Sequence, residues 1–386
     1  MSAAPQGQRP LRVALVAGEP SGDLLAALLL RGLRARWPEV QAFGIGGPKL
    51  QAEGFEPWWS YEKLAVRGYV EVLRHYREIV GIRDQLRDRL LADPPDVFIG
   101  VDAPDFNLDL EAALRAAGVK TVHFVCPSIW AWRMKRVEKL RRACDQVLCI
   151  FPFEPELLAR HGVPASYVGH PLAAVMPLQP DRAGARASLG LPADAPVVAL
   201  LPGSRNSEIE QMAGLFVAAA RQLRARRPAV RFVLPSVPHQ LARMREAVAA
   251  AGGVEGLALL EGRSHEALAA CDVTLIASGT ATLEAALAKR PMVISYRVNW
   301  LSYLLMKPRH LQPWIGLPNI LCGEFVVPEL LQSHAQPEAL AAAVLDWLDS
   351  PDKMAAVQAR FEALHQQLHR DTATLAADAI QKVLAA

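Results

Sequence analysis

Short runs of β-branched and aliphatic residues alternate along the chain with longer stretches in which apolar positions recur every three or four residues. The first pattern suits strands buried on both faces, and the second suits amphipathic helices laid over them. Their alternation predicts βαβ units around parallel sheets. Strands are expected at 11–17, 40–45, 96–101, 121–126, 146–151 and 165–169, then at 197–202, 231–235, 257–260, 273–277 and 291–296. Helices fill the gaps, for example 207–226 and 239–251. The stretch 172–195 is rich in Pro, Ala, Asp and Gly without periodicity and reads as a linker, while 337–386 is helical throughout. The expected organisation is an α/β chain of two Rossmann-like domains: 1–172, a linker at 173–195, 196–336, and C-terminal helices at 337–386. Two such domains would face one another across a cleft, at the carboxyl ends of both sheets. Sugar-nucleotide glycosyltransferases, epimerases and some phosphorylases share that plan, so fold alone does not choose among them.

Composition narrows the field. With 52% hydrophobic and 21% charged residues over 386 positions, the chain has the make-up of a globular protein with a large core. The net charge of +3 is too weak a bias for global nucleic-acid binding. Five scattered cysteines without Cys-x-x-Cys fit a reducing compartment. The polar start MSAAPQGQRP does not read as a signal peptide, and no apolar run approaches the ~18 residues of a spanning helix. A soluble, cytoplasmic chain is expected, one still able to lie on a membrane.

The chemistry gathers where strands end. Gly18-Glu19-Pro20-Ser21-Gly22-Asp23 follows the first strand, with a helix expected from Leu24. Small residues and the Ser21/Asp23 pair suit either a ligand anion or an ordinary helix cap. Gly44-Ile45-Gly46-Gly47 falls short of the dinucleotide fingerprint, and no phosphate-binding Gly-x4-Gly-Lys loop exists, so no nucleotide cofactor is expected. Asp102 follows the apolar run Val97 to Val101, where a partly desolvated carboxylate suits a general base for a sugar hydroxyl. Capping of the next helix by Asp102 or Asp105 is the competing reading. Asp-x-Asp is absent and the histidines lack ligand spacing, so no metal is expected. Trp130 and Trp132 beside Arg133, Lys135, Arg136, Lys139, Arg141 and Arg142 suit a phosphorylated sugar, a membrane surface, or a plain solvated helix. A lone His170 in Gly169-His170-Pro171 reads more readily as structural. In the second half, Leu201-Pro202-Gly203-Ser204-Arg205 sets a guanidinium beside free backbone N–H groups, as a diphosphate requires. Ser278-Gly279-Thr280-Ala281-Thr282 opens a helix whose dipole favours phosphate, with Glu284 one turn in, within reach of a ribose. Both loops in one domain favour nucleotide-diphosphate binding.

Taken together, SGD (Ser21–Asp23), GIGG, VDAPDFN, PSIWAWR, FPFE, GHP, LPGSR–N–SEI, SGTATLE and LPN (Leu317–Asn319) resemble the lipid-A-disaccharide synthase family. The motifs run in order from about residue 11 to 335 without departure. The resemblance implies a GT-B architecture and an inverting, metal-independent transfer. UDP-2,3-diacylglucosamine and 2,3-diacylglucosamine 1-phosphate (lipid X) would give a β-1,6 disaccharide and UDP, a step in Gram-negative lipid A synthesis. It implies Asp102 as general base, with Arg205, Glu284 and Asn319 in a donor site held by the second domain. The acceptor would fall to the first domain. It also leaves 337–386 either packed back on its own chain or exchanged within a homodimer. A sugar-nucleotide epimerase and a non-catalytic membrane-binding module are the rival functions.

Substrates with acyl chains imply contact with the inner membrane surface. On a helix expected through 62–80, Val66, Tyr69, Val70, Leu73, Tyr76 and Val80 form an apolar stripe beside Lys63, Arg67, Arg74 and Arg77. That pattern suits an interfacial helix; the same stripe would serve equally to face the domain core.

Overall fold

The computed structural model describes residues 9–64, 69–131, 134–297 and 312–386, with backbone alone over 69–76. The chain divides into two units, one comprising Met1–Pro171 with Leu368–Ala386 and the other Leu172–Gln367.

The first unit is built on seven parallel strands: β1 (Arg12–Ala17), β2 (Gln41–Gly46), β3 (Glu56–Ser60), β4 (Val97–Val101), β5 (Lys120–Phe124), β6 (Gln146–Cys149) and β7 (Ala165–Tyr167). Their order is β3-β2-β1-β4-β5-β6-β7. The continuous apolar runs are explained by burial on both faces: every residue of β4 is buried, and all but the first of β1. Ile82, Leu86 and Leu90, one helical turn apart, press the helix Tyr69–Ala92 onto a core containing Phe43, Phe98 and Leu114.

The second unit carries six parallel strands: β8 (Val197–Leu201), β9 (Arg231–Ser236), β10 (Leu257–Glu261), β11 (Val273–Ala277), β12 (Met292–Tyr296) and β13 (Glu329–Leu331). The order is β10-β9-β8-β11-β12-β13. In both sheets the order reverses beside the first strand, at β1/β4 and at β8/β11. Such switch points leave a crevice beyond the carboxyl ends of the strands. The Gly18 and Asp102 loops leave one of them, and the Gly203 and Ser278 loops leave the other.

Four expectations need correction. First, β3 and β13 went unforeseen: β3 is an edge strand containing Pro57, and β13 has three residues. Second, the helix expected over 62–80 is instead a 3-10 turn, Tyr61–Lys63, followed by the helix Tyr69–Ala92. Residues 65–68 and the side chains of 69–76, and with them Val66, Tyr69, Val70, Leu73 and Tyr76, lie outside the described residues. Third, 173–195 is not a free linker. Asp181 caps the helix Arg182–Ser188, and the Arg186 guanidinium is buried. It donates to the carbonyls of Ala270, Ala193 and Ala195 and to Asp272. Fourth, 337–386 is divided between the units. The helix Thr372–Ala385 packs on Pro20–Arg36 of its own chain, where a Cβ on Gly32 would lie 2.3 Å from the Ala373 carbonyl oxygen. That is the packing back on its own chain that the resemblance left open. Among the described residues no helix is long and apolar enough to cross a membrane.

Candidate functional site

The loops leaving β8 and β11 line a cavity of about 340 Å³ in the second unit, together with Ser236, Gly262 and Ser264. Gly203, at φ +110, makes the turn after β8. Arg205 Nη1 lies 2.8 Å from Glu208 Oε1, and the guanidinium side chain stays 80% exposed. The backbone N–H groups expected free for a diphosphate are occupied: those of Ser204 and Arg205 donate to Glu208 Oε2 at 2.9 and 3.1 Å. The reason is a capping arrangement, with Glu208 three residues into the helical segment that follows Arg205. Glu208 was missed as a site residue, although its spacing in LPGSR–N–SEI carried the signal.

Across the cavity, Ser278, Gly279, Thr280 and Glu284 line the wall. Gly279, at φ +151, begins the helix Thr280–Leu287 and leaves open space where a Cβ would stand. Thr282 does not face the cavity; it is buried and its hydroxyl donates to the Gly279 carbonyl at 2.7 Å. Glu284 lies 3.6 Å from His265 Nε2, and that carboxylate raises the imidazole pKa. Asn319 is corrected in the same way. Its amide is buried and consumed by Val327 O, Glu329, Val326 N–H and Val327 N–H. Glu329 in turn accepts from the Ile315 and Gly316 N–H groups, and Ser278 Oγ donates to the Ile315 carbonyl. Asn319 therefore braces the loop beside Ser278 instead of reaching a ligand itself.

In the first unit, the Asp102 loop sits against the Gly18 turn, where a Cβ would be 3.4 Å from that of Ala103. Asp102 and Ala103 both adopt left-handed backbone, at φ +53 and +43. Ala103, not Asp102 or Asp105, occupies the N-cap of the helix Pro104–Ala116. Asp102 is half-buried, and its carboxylate makes no hydrogen bond or ion pair among the described residues. Asp105 is spent on Arg136.

The Ser21–Asp23 motif divides. The helix begins at Pro20, earlier than Leu24, leaving Ser21 exposed in its first turn and Gly22 buried against the sheet. Asp23 is buried and accepts from the N–H groups of Gly47, Lys49 and Leu50, tying this motif to GIGG. It holds protein, not ligand. Trp130 also turns inward: its Nε1 donates to Glu154 at 3.1 Å, and its ring edges pack on Phe151 and Phe153. PSIWAWR, FPFE and GHP thus converge on one buried aromatic cluster. Burial pushes the Glu154 carboxyl up to about 8 and the His170 imidazole down to about 4. Trp132 and Arg133 lie outside the described residues. Of the basic run, Arg136 pairs with Asp105, Lys139 with Asp109 and Arg141 with Glu138.

One group of described residues brings metal-type ligand atoms together, within 4.8 Å: Glu111, His123 and Cys144. All three are buried, and their atoms bond one another, His123 Nδ1 at 2.7 Å and Cys144 Sγ at 3.3 Å from the Glu111 carboxylate. They form a buried polar network in which His123 Nε2 has no hydrogen-bond partner among the described residues.

A family model described as lipid-A-disaccharide synthetase matches residues 13–383. The lipid-A-disaccharide synthase of Albidiferax ferrireducens is 62% identical over 379 residues, covering 97% of each chain. Among solved structures, the glycosyltransferase of kitacinnamycin aligns with TM-score 0.63 at 18% identity, over 97% of this chain and 100% of that one. The UDP-GlcNAc 2-epimerase of Neisseria meningitidis aligns with TM-score 0.61 at 11% identity, over 97% and 99%. The structural likenesses show the two-domain GT-B fold; the sequence match separates the activities that share it.

Proposed function

Because this chain belongs to the lipid-A-disaccharide synthase family, we propose that it makes the disaccharide by a single inverting displacement with Asp102 as base. The donor is UDP-2,3-diacylglucosamine and the acceptor is lipid X. Asp102 takes the proton of the acceptor 6-hydroxyl as that oxygen attacks the anomeric carbon and the bond to UDP breaks. The Arg205 guanidinium and the Ser278–Thr280 helix end meet the negative charge that develops on the departing diphosphate. Glu284, near His265, receives the ribose.

The observation that carries this reading is the wall shared by Arg205, Ser278–Thr280 and Glu284 at the β8/β11 switch point. A cation, a helix N-terminus and a carboxylate within one cavity match the diphosphate and ribose of a nucleotide. The left-handed turn at Asp102 supports the base assignment, since strained backbone gathers at functional positions.

Incubation with both substrates, followed by mass analysis, tests the reading. Disaccharide and UDP should appear together, and only when lipid X is present. UDP-sugar turnover without an acceptor would favour epimerisation, and no UDP release would favour a binding module. Substrates that carry acyl chains support a location at the membrane surface, and the stripe of Val66, Tyr69, Leu73 and Tyr76 is the proposed contact. With Trp130 buried, the segment after it is a poorer choice.

A further inference from the structure

Asn107 belongs to the VDAPDFN motif, yet nothing in the transfer chemistry uses it. It is fully buried one turn into the helix Pro104–Ala116, directly behind the turn that carries Asp102. Its Nδ2 donates to the Asp102 backbone carbonyl at 2.8 Å and reaches that of Val101 at 3.5 Å. On its other side, the Asp102 N–H donates to Phe124 O of β5 at 2.8 Å.

The turn so held is unfavourable on its own. Two successive non-glycine residues at φ +53 and +43 are each strained, because L side chains rarely adopt that backbone. Ala103 also precedes Pro104, whose ring disfavours helical backbone in the residue before it. Such a turn persists only where its surroundings over-determine it. Asn107 itself stands on a fixed base. One turn further, Glu111 is bonded to His123 of β5 and to Cys144, all inside the core. Gly100 lets both side chains sit close to β4, since a Cβ there would meet Glu111 Oε1 at 2.2 Å and Asn107 Cβ at 2.8 Å.

We propose that Asn107 is a positioning residue for the transfer reaction: its amide holds the Asp102 peptide in the left-handed turn that sets where the carboxylate stands. The proposal rests on the assignment of Asp102 as base. It treats the amide donor as the working group and the Glu111–His123 pair as its footing.

A double-mutant cycle tests it. Asn107→Leu keeps the volume but removes the donor, and Asn107→Ala removes the whole amide. Each should lower kcat about 10²-fold, as a misplacement near 1 Å does, with KM for both substrates nearly unchanged. In an Asp102→Asn background, with residual product measured by mass spectrometry, the same changes should have little further effect, because the group they position is gone. Full multiplication of the two losses, or wild-type kcat in both folded variants, would overturn the proposal. So would failure of both variants to fold, which would assign the amide to stability alone. Wild-type turnover in Asp102→Asn itself would remove the base assignment, and with it this inference.

Discussion

Arg205 and Glu208 are locked together on the wall of the cavity beyond β8 and β11, Nη1 to Oε1 at 2.8 Å, with the guanidinium exposed and the carboxylate buried. Glu208 thus fixes one edge of the guanidinium and leaves the rest for a ligand. Arg205→Ala should weaken UDP binding and slow transfer, and Glu284→Ala should weaken UDP binding while leaving Arg205 in place. Loss of one charge-assisted contact is worth about 1.5–3 kcal/mol, roughly tenfold or more in affinity. Titration calorimetry with UDP is the measurement; unchanged affinity in both variants would move the nucleotide elsewhere.

Asp102→Asn keeps the shape of the side chain and removes its basicity. Turnover should fall about 10²–10⁴-fold, the range usual for a general base, with UDP affinity and melting temperature retained. A variant within about threefold of wild type, far inside that range, would take Asp102 out of the chemistry.

Glu154 makes stability depend on pH. In the folded chain burial lifts its carboxyl to about 8, whereas the ordinary value is 4.5. Between those values the unfolded chain releases a proton that the folded chain keeps, so stability falls as pH rises. This contribution is complete below about pH 4.5 and fully lost above about pH 8. Glu154→Gln, neutral throughout, should flatten that part of the profile. Urea denaturation across the window checks it, and an identical slope in both proteins would refute the assignment.

Arg186 is expected to be among the most sensitive positions of the second unit. Its removal strands the carbonyls of Ala270, Ala193 and Ala195 and leaves Asp272 with Arg182 and the Val197 N–H. Breaking a buried pair in this way costs about 3–5 kcal/mol. Arg186→Ala should therefore show a large drop in denaturation midpoint, whereas a neutral result would mean that 182–195 docks only loosely.

For the membrane contact, Val66, Tyr69 and Leu73 replaced by serine should reduce binding to anionic vesicles and the use of long-chain acceptors, at an undiminished melting temperature. Loss of folding would place that stripe in the core, with Ile82 and Leu86 of the helix Tyr69–Ala92.

The strands were legible because strands buried on both faces leave long apolar runs, as Val97–Val101 does. The edge strand Glu56–Ser60, with its proline and half-exposed tryptophans, leaves no such trace. That Arg205, Ser278, Gly279, Thr280 and Glu284 line one cavity could be read from loop chemistry because their loops leave adjacent strands of one sheet. Trp130 could not: its burial depends on Phe151, Phe153 and Glu154, which the fold brings from the next βα loop. Asp23 and Asn319 misled for a related reason. A polar side chain in a ligand-like loop looks the same in sequence whether its partners are substrate atoms or backbone amides elsewhere in the chain, 24–27 residues on for Asp23 and 7–8 for Asn319.

The return of the C-terminal helix to the first unit has a consequence for synthesis on the ribosome. Chains usually fold domain by domain from the N-terminus. Here the second unit is one continuous stretch, Leu172–Gln367, and can close before its predecessor. The first unit must wait with its Pro20–Arg36 face bare, including the groove at Gly32, until Thr372–Ala385 has been made. A stop codon after Gln367 would injure the half of the protein synthesised first. Limited proteolysis of such a truncation should cut ahead of residue 171 while the second unit still resists. Residues made after the second unit are thus the ones that complete the half bearing Asp102.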